Sequence, residues 1–254
     1  MKIKEQAEVI GQKKLAEGVY SLLLKTTISA YAVPGQFISI FSNDGSKLLP
    51  RPISICEIDK ENGTLRVVYR VVGKGTTEFS SLTEGDSVEV MGPLGNGFPL
   101  EPGKAIVVGG GIGVPPMLEL TKQLGNDVVA VMGYRNDDLF LADEFIDAAS
   151  ELIVATDDGS VGVHGTVVDA MKENDLVADV IYACGPKPML KGVAEYAAAK
   201  NIKCYVSMEE RMACGVGACL GCVCESKEKD DHSHVNNKRV CKDGPVFLST
   251  EVVL

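Results

Sequence analysis

The sequence predicts an α+β chain of several domains: an antiparallel β-barrel over residues 1–100, a parallel doubly wound α/β unit over 101–207, and a small cysteine-rich unit over 208–254. Three observations predict it. Short β-branched runs separated by turn residues fill the first third, the pattern of a small barrel. Strand and helix signals then alternate, which implies parallel strands joined by crossover helices. Six of the eight cysteines lie between Cys204 and Cys241 inclusive. Such a local concentration points to metal or redox use rather than a dispersed disulfide framework.

In the first part, residues 19–24 and 37–40 are expected as strands, with Pro34 and Gly35 marking a turn between them. Residues 65–72 carry the strongest β signal, rich in β-branched side chains, and Asn62-Gly63 ahead of them reads as a hairpin turn. Residues 87–90 form another strand, and one short helix is expected at 77–82. Glycine and proline crowd residues 92–103, a domain link. Beyond it come strand 105–108, helix 115–124, strand 128–133, a weak helix at 143–148, strand 152–155, helix 167–173, strand 180–183, helix 188–200 and strand 203–207. Residues 225–234 are charged and read as a solvated loop that holds His232 and His234. His164 has no identifiable partner.

Composition excludes several classes. A net charge of −10 over 254 residues is unlike a nucleic-acid binder, which is basic. No polybasic patch suits a membrane surface, and no apolar run is long enough to span a bilayer. The first residues, Met1-Lys2-Ile3-Lys4-Glu5-Gln6, lack the apolar stretch of a secretory signal. A reducing cytoplasm is therefore the expected compartment.

The cysteine segment carries the sharpest signal. Cys214, Cys219 and Cys222 have four and then two residues between them, and Cys241 follows later. This is the spacing of plant-type [2Fe-2S] sites, in which a short loop wraps the metal and a distant thiol closes it. Gly215, Gly217 and Gly221 leave the backbone free to wrap, with positive φ available. A structural zinc site would use two short cysteine knuckles, and half of that pattern is present. Cys224 is the alternative fourth ligand; Cys241 is preferred because a distant cysteine usually closes such sites. No Cys-x-His pair supports a Rieske centre.

Three further motifs sit at expected strand ends. Gly109, Gly110, Gly111, Ile112, Gly113 and Pro115 lie between a strand and a helix, where backbone N–H groups can meet a phosphate. The dinucleotide fingerprint is incomplete, because Val114 stands where its last glycine belongs. A tight turn that binds nothing is the competing reading. Cys184, Gly185 and Pro186 end a later strand of the same sheet, and ligands of open α/β sheets collect at such ends. In the barrel, Arg51 and Ser54 are candidates to hold a flavin's phosphate and ring edge, with a solvated barrel-rim arginine as the competing reading, and the turn at residues 73–77 offers N–H groups to a diphosphate. Otherwise that turn is an ordinary one capped by threonine. No Gly-x-Ser-x-Gly or other nucleophile signature is present, so no catalytic residue is assigned.

Taken in order, these motifs resemble the ferredoxin-reductase superfamily. Arg51-Pro52-Ile53-Ser54 is similar to its Arg-x-Tyr-Ser flavin motif, Gly109 to Gly113 with Pro115 to its nucleotide loop, and Cys184-Gly185-Pro186 to its Cys-Gly-Pro element. Glu209-Glu210-Arg211-Met212-Ala213-Cys214 through Cys224, followed by Arg239-Val240-Cys241-Lys242-Asp243-Gly244-Pro245, is very similar to the electron-transfer subunits of class B dihydroorotate dehydrogenases. The resemblance covers nearly the whole chain. It implies an FAD site at Arg51, Pro52, Ile53, Ser54, Val68, Tyr69, Arg70, Gly75 and Thr76. It implies an NAD site at the two glycine loops, and cluster ligands Cys214, Cys219, Cys222 and Cys241. Ile53 departs from the aromatic that many members place against the flavin, and the chain lacks the terminal aromatic of plant-type reductases.

The implied activity converts electron pairs to single electrons, since a flavin handles both. Electrons would pass from the FMN of a catalytic partner subunit, which oxidises dihydroorotate in pyrimidine biosynthesis, through the [2Fe-2S] cluster and FAD to NAD+. The implied assembly is an α2β2 heterotetramer. Two rivals stand beside it. One is a diaphorase subunit of a ferredoxin:NADP transhydrogenase or hydrogenase, some of which use an Asp ligand where four cysteines are available here. The other is a zinc-stabilised binding module. NAD is expected over NADP, because Asn136, Asp137 and Asp138 follow Arg135 and a later strand ends in Asp157-Asp158.

Overall fold

A computed structural model describes residues 1–229 and 234–254; His232 lies outside the described residues, and His234 is exposed. Strands β1 (Ile3–Ala16), β2 (Val19–Lys25), β3 (Phe37–Ile40), β4 (Arg51–Asp59), β5 (Thr64–Arg70) and β6 (Ser87–Leu94) close an antiparallel barrel in the order β1-β2-β5-β4-β3-β6. Alternation fills it: Ile38 and Ile40 of β3 join Leu22, Ile55 and Val67 in the barrel core. Two strands here have no clear β signal in the sequence. β1 is mostly charged and polar, with fully buried apolar positions only at Ala7 and Val9. β4 contains Pro52, which a central strand would reject. The ladder with β5 begins only at Ile55, so β4 lacks that neighbour at Pro52.

Helix α1 (Lys74–Phe79) starts before the expected 77–82. The Thr76 hydroxyl explains this: it accepts from Val72 N at 3.0 Å and Gly73 N at 3.2 Å and donates to Gly73 O at 3.0 Å. The turn is fixed before the helix begins.

The second part alternates as expected. It runs β7 (Ala105–Gly110), a 3-10 turn (Gly111–Gly113), α2 (Pro115–Leu124), β8 (Val128–Tyr134), α3 (Ala142–Ala148), β9 (Glu151–Thr156), β10 (Val163–His164), α4 (Val167–Glu173), β11 (Val180–Cys184), α5 (Lys187–Ala199) and β12 (Lys203–Ser207). The last part adds β13 (Val223–Glu225), β14 (Asn237–Arg239) and β15 (Val246–Leu248). The large sheet has the order β10-β9-β8-β7-β11-β12-β15. The chain moves outward from β7 to β10 and then returns to β7's other side with β11. Strand order therefore reverses between β7 and β11, the position where open α/β sheets bind ligands.

The cysteine segment is built into the other two parts. Its β15 pairs antiparallel with β12. Asn96, at the exit of the barrel, donates from N to Gly244 O at 2.7 Å and from Nδ2 to Asp243 O at 2.9 Å. Phe37 and Leu94 of the barrel share one hydrophobic cluster with Cys222, Val240, Cys241 and Phe247.

Candidate flavin, nucleotide and cluster sites

The three-cysteine loop folds around its own N–H groups. Cys214 Sγ accepts from Val216 N at 3.5 Å and Ala218 N at 3.3 Å, and Cys219 Sγ accepts from Gly221 N at 3.4 Å. Cys222 Sγ accepts from Cys241 N at 3.4 Å. Positive φ falls at Gly215, Gly217 and Leu220, not at Gly221. Cys241 is joined to Cys222 by that N–H bond, and the Cys219 thiol lies beside Cys214. Among the described residues, no three His, Cys, Asp or Glu side chains gather as one metal ion would need. Four cysteine thiols, three of them accepting peptide N–H bonds, are donors that fit a [2Fe-2S] group.

The two pairs differ electrostatically. Burial opposes ionisation of Cys214, but the N–H donors and the Cys219 thiol outweigh it and lower its pKa to about 6. Burial first, then the neighbouring Cys222, pushes Cys241 up to about 12. Cys224 is buried on β13 opposite Lys238.

One residue outside the expected set joins the ligand loops. The Arg239 guanidinium donates to Gly217 O at 3.3 Å and makes two 3.0 Å bonds to the Asp243 carboxylate. Only the folded chain shows that contact across 22 residues.

The two glycine loops meet at the switch point. Cys184 and Gly109 are register partners on β11 and β7. A Cβ on Gly113 would lie 2.3 Å from Cys184 O and 2.7 Å from Gly185 N. The second loop thus presses on the first with no room for a side chain. Pro115 and Pro116 open α2, whose first turn needs no N–H from them. Cys184 is half-buried, and burial pushes its thiol up to about 12 against the Ser207 hydroxyl. At the neighbouring strand ends, Asp158 N donates to Arg135 O at 3.2 Å. The cation and the acidic pair Asp157-Asp158 therefore share one exposed corner.

In the barrel, Arg51 Nη1 donates to Leu49 O. A Cβ on Gly75 would stand 2.6 Å from Arg51 Nε, so the guanidinium lies directly over that turn. Gly75 and Thr76 lie in the first turn of α1, where backbone N–H groups have no partner within the helix. An open groove of about 740 Å³ lies beside them, lined among others by Asp44, Lys47, Gly73, Lys74, Thr77 and Glu78, with Lys47 paired to Glu78 at 2.6 Å. The cation over the glycine turn fits the diphosphate of an elongated flavin nucleotide.

Val68 and Tyr69 of the flavin set are buried, whereas Pro52, Ile53, Ser54 and Arg70 are half-buried. The Tyr69 ring lies in the barrel core, stacked 6.1 Å from Tyr20 and edge-on 6.2 Å from Phe79, and its hydroxyl donates to Gln12 Oε1 at 2.9 Å. Only its backbone is left to meet a ligand. Val68 is buried between the barrel and α2. Ile53 packs against the barrel core, while Pro52 and Ser54 stand opposite Ser39 and Phe37. Arg70 ends β5 opposite Val19.

The metal loop touches this strand pair from outside. A Cβ on Gly215 would meet Leu94 Cδ1 and Ser39 Oγ, each at 3.2 Å. Ser39 is the register partner of Pro52.

A family model described as the iron-sulfur cluster binding domain of dihydroorotate dehydrogenase B matches residues 209–253. The dihydroorotate dehydrogenase B (NAD(+)) electron transfer subunit of Geobacillus thermodenitrificans (strain NG80-2) is 45% identical, over 99% of each chain. This chain belongs to that family. The electron transfer subunit of Streptococcus mutans serotype c (strain ATCC 700610 / UA159) is 43% identical over 100% of both chains. Among solved structures, an NADH-dependent reduced ferredoxin-NADP oxidoreductase is 33% identical, with a TM-score of 0.87 over 97% of this chain and 89% of that one. A ferredoxin NADP+ reductase from Neisseria gonorrhoeae, 16% identical with a TM-score of 0.65 over 82% of this chain and 94% of that one, shows the shared fold alone. Membership in the dihydroorotate dehydrogenase B electron transfer family accounts for the barrel, the switch-point sheet and the cysteine segment in one chain.

Proposed function

We propose that this chain transfers electrons between NAD(H) and a catalytic partner subunit that carries FMN and oxidises dihydroorotate, within an α2β2 assembly in the cytoplasm. FAD, NAD and a [2Fe-2S] cluster are its cofactors, and the division of labour follows residues 1–100, 101–207 and 208–254. One observation carries the reading: the metal loop packs at Gly215 onto Ser39, beside the Arg51–Ser54 strand. The cluster loop and the flavin strand are thus adjoining walls of one site. All eight cysteines are free thiols, which supports a reducing compartment. Among the described residues, no helix is long and apolar enough to cross a membrane.

The bound groups supply hydride exchange with the nicotinamide and one-electron transfer at the metal, with the flavin handling both. The chain's own residues bind, orient and shield. Arg51 over Gly75 would neutralise a diphosphate, whose oxygens the N–H groups of Gly75 and Thr76 would meet. Gly109 to Gly113 and Cys184 to Pro186 leave a bare backbone for a dinucleotide at the switch point. Cys214, Cys219, Cys222 and Cys241 would hold the cluster, with peptide N–H groups donating to the sulfurs of the first three. Among the described residues none is assigned as a base for dihydroorotate, and that proton transfer is proposed for the partner.

Reconstitution tests the proposal. Alone, the FAD-loaded chain should reduce dyes with NADH and leave dihydroorotate untouched. Adding the FMN subunit should create dihydroorotate:NAD+ activity. Cys219→Ala should abolish the coupled activity and largely spare NADH-to-dye transfer. Full coupled activity in cluster-free protein would make the role of the four thiols structural.

A further inference from the structure

Helix α2 follows the nucleotide loop, and Pro115 to Thr121 are all buried. Glu119 is the only charged residue among them, at 7% exposure. A buried carboxylate is costly unless its oxygens are bonded. Both are: Glu119 Oε2 accepts from Ile58 N at 2.9 Å, and Oε1 accepts from Gln123 Nε2 at 2.7 Å.

Ile58 belongs to β4, the strand that opens with Arg51, Pro52, Ile53 and Ser54. β3 pairs with β4 only from Arg51 to Ser54. Beyond that point the strand's outer edge loses its ladder, and the Ile58 N–H turns to α2 instead. Four residues separate Glu119 from Pro115, one helical turn from the end of the nucleotide loop. One carboxylate therefore fastens the strand of the flavin motif to the helix of the nucleotide loop.

The joint has further layers. Cys56 and Val68 of the barrel pack with Val114, Met117 and Leu118 in one hydrophobic cluster. At its rim Arg66 Nη1 bonds Glu57 Oε2 at 2.5 Å and Glu144 Oε2 at 2.8 Å, and Lys122 bonds Glu57. Those rim pairs are partly exposed and worth little singly. Glu119 is the directional bond inside the seam. It adds a directional constraint on the position of α2 along β4 to apolar packing that is itself non-directional.

We infer that Glu119 is a positioning residue for hydride exchange: through Ile58 N it holds the nucleotide loop in register with the flavin strand. The inference rests on the flavin and nucleotide assignments above. Its action is on reach and alignment, to which hydride transfer is steeply sensitive; a misplacement of about 1 Å can cost on the order of 10²-fold.

Two variants of the full-length, FAD-loaded chain test it. Glu119→Met keeps side-chain length, adds no cavity and leaves the Ile58 N–H without its acceptor. Glu119→Gln keeps a carbonyl oxygen for Ile58 N while removing the charge. Stopped-flow reduction of the flavin by NADH separates the saturating rate from the apparent Kd. Glu119→Met should lower the saturating rate by about tenfold or more, with FAD content and NADH Kd little changed. Glu119→Gln should restore it to within a few fold. Lys122→Ala, which removes a rim ion pair, should leave the rate unchanged and serves as control.

A wild-type rate in Glu119→Met overturns the inference. So does a Glu119→Met chain that cannot be obtained folded with FAD, since Glu119 would then be a stability determinant. An equal loss in Glu119→Gln would assign the effect to the charge, and the register argument would fall. Failure of NADH to reduce the flavin of the wild-type chain would instead refute the proposed function.

Discussion

Gly113→Ala probes the contact between the two nucleotide loops. An alanine Cβ would stand 2.3 Å from Cys184 O, 2.6 Å from Cys184 C and 2.7 Å from Gly185 N. Ordinary contact begins near 3.4 Å, so the loops must separate by about 1 Å. All three atoms are backbone, and no side chain can swing aside. Overpacking of this kind costs about 1–3 kcal/mol, which for a chain of this size lowers Tm by roughly 2–12 °C. Kinetics should suffer more than stability, since about 1 Å at the bound dinucleotide is worth on the order of 10²-fold in rate. Gly18→Ala, in the β1–β2 hairpin outside the nucleotide loop, is the matched control. Its φ of +68° costs an alanine about 1–2 kcal/mol, yet nothing lies within 4 Å of its Cβ. The assay is stopped-flow flavin reduction across NADH concentrations, with thermal melting of each variant alongside. Wild-type efficiency in Gly113→Ala, or an equal loss in Gly18→Ala, would refute the reasoning.

Cys241→Ser should lose or destabilise the cluster while Cys224→Ser keeps it, because Cys241 pairs with Cys222 and Cys224 is buried on β13 opposite Lys238; iron content and electron paramagnetic resonance decide, and an intact signal in Cys241→Ser would move the ligand. NADPH should be used at least about tenfold less efficiently than NADH, since a 2′-phosphate beside Asp157 and Asp158 meets repulsion on the order of 1 kcal/mol per charge; comparable kcat/KM values would sink this. In protein stripped of metal, iodoacetamide at pH 7 should label Cys214 and spare Cys241. Cys214 has a lowered pKa, so its thiolate persists above about 6 and is lost as pH falls through that value, and labelling should slow accordingly. Peptide mass spectrometry across pH 5–8 reads it, and early labelling of Cys241 would contradict the assignment.

Much of the site was legible because its signals are local. Cys214, Cys219 and Cys222 sit within nine residues, and Gly109 to Pro115 form one strand-to-helix turn. Thr76 as a turn cap was equally readable, and the structure makes it one. For Tyr69 the motif does not show which atoms are available: alternation along β5 sends its ring into the barrel, where Gln12, Tyr20 and Phe79 hold it. β1 was unreadable because its charged residues hide two buried apolar positions, and its pairing partners, β2 and β6, supply what the strand itself does not.

The sequence by itself determined the order of the three parts, the cysteine spacing and the positions of the glycine loops. Each is set by short-range chemistry: turn propensity, side-chain periodicity, and the reach of a loop around a metal. The tertiary structure alone decided how the thiols pair, where Arg239 reaches, that β15 joins β12, and that Glu119 meets Ile58 across 61 residues. Those outcomes depend on which surfaces face one another once the chain is packed. No local pattern in the sequence encodes a hydrogen bond whose two ends meet only after both domains have formed.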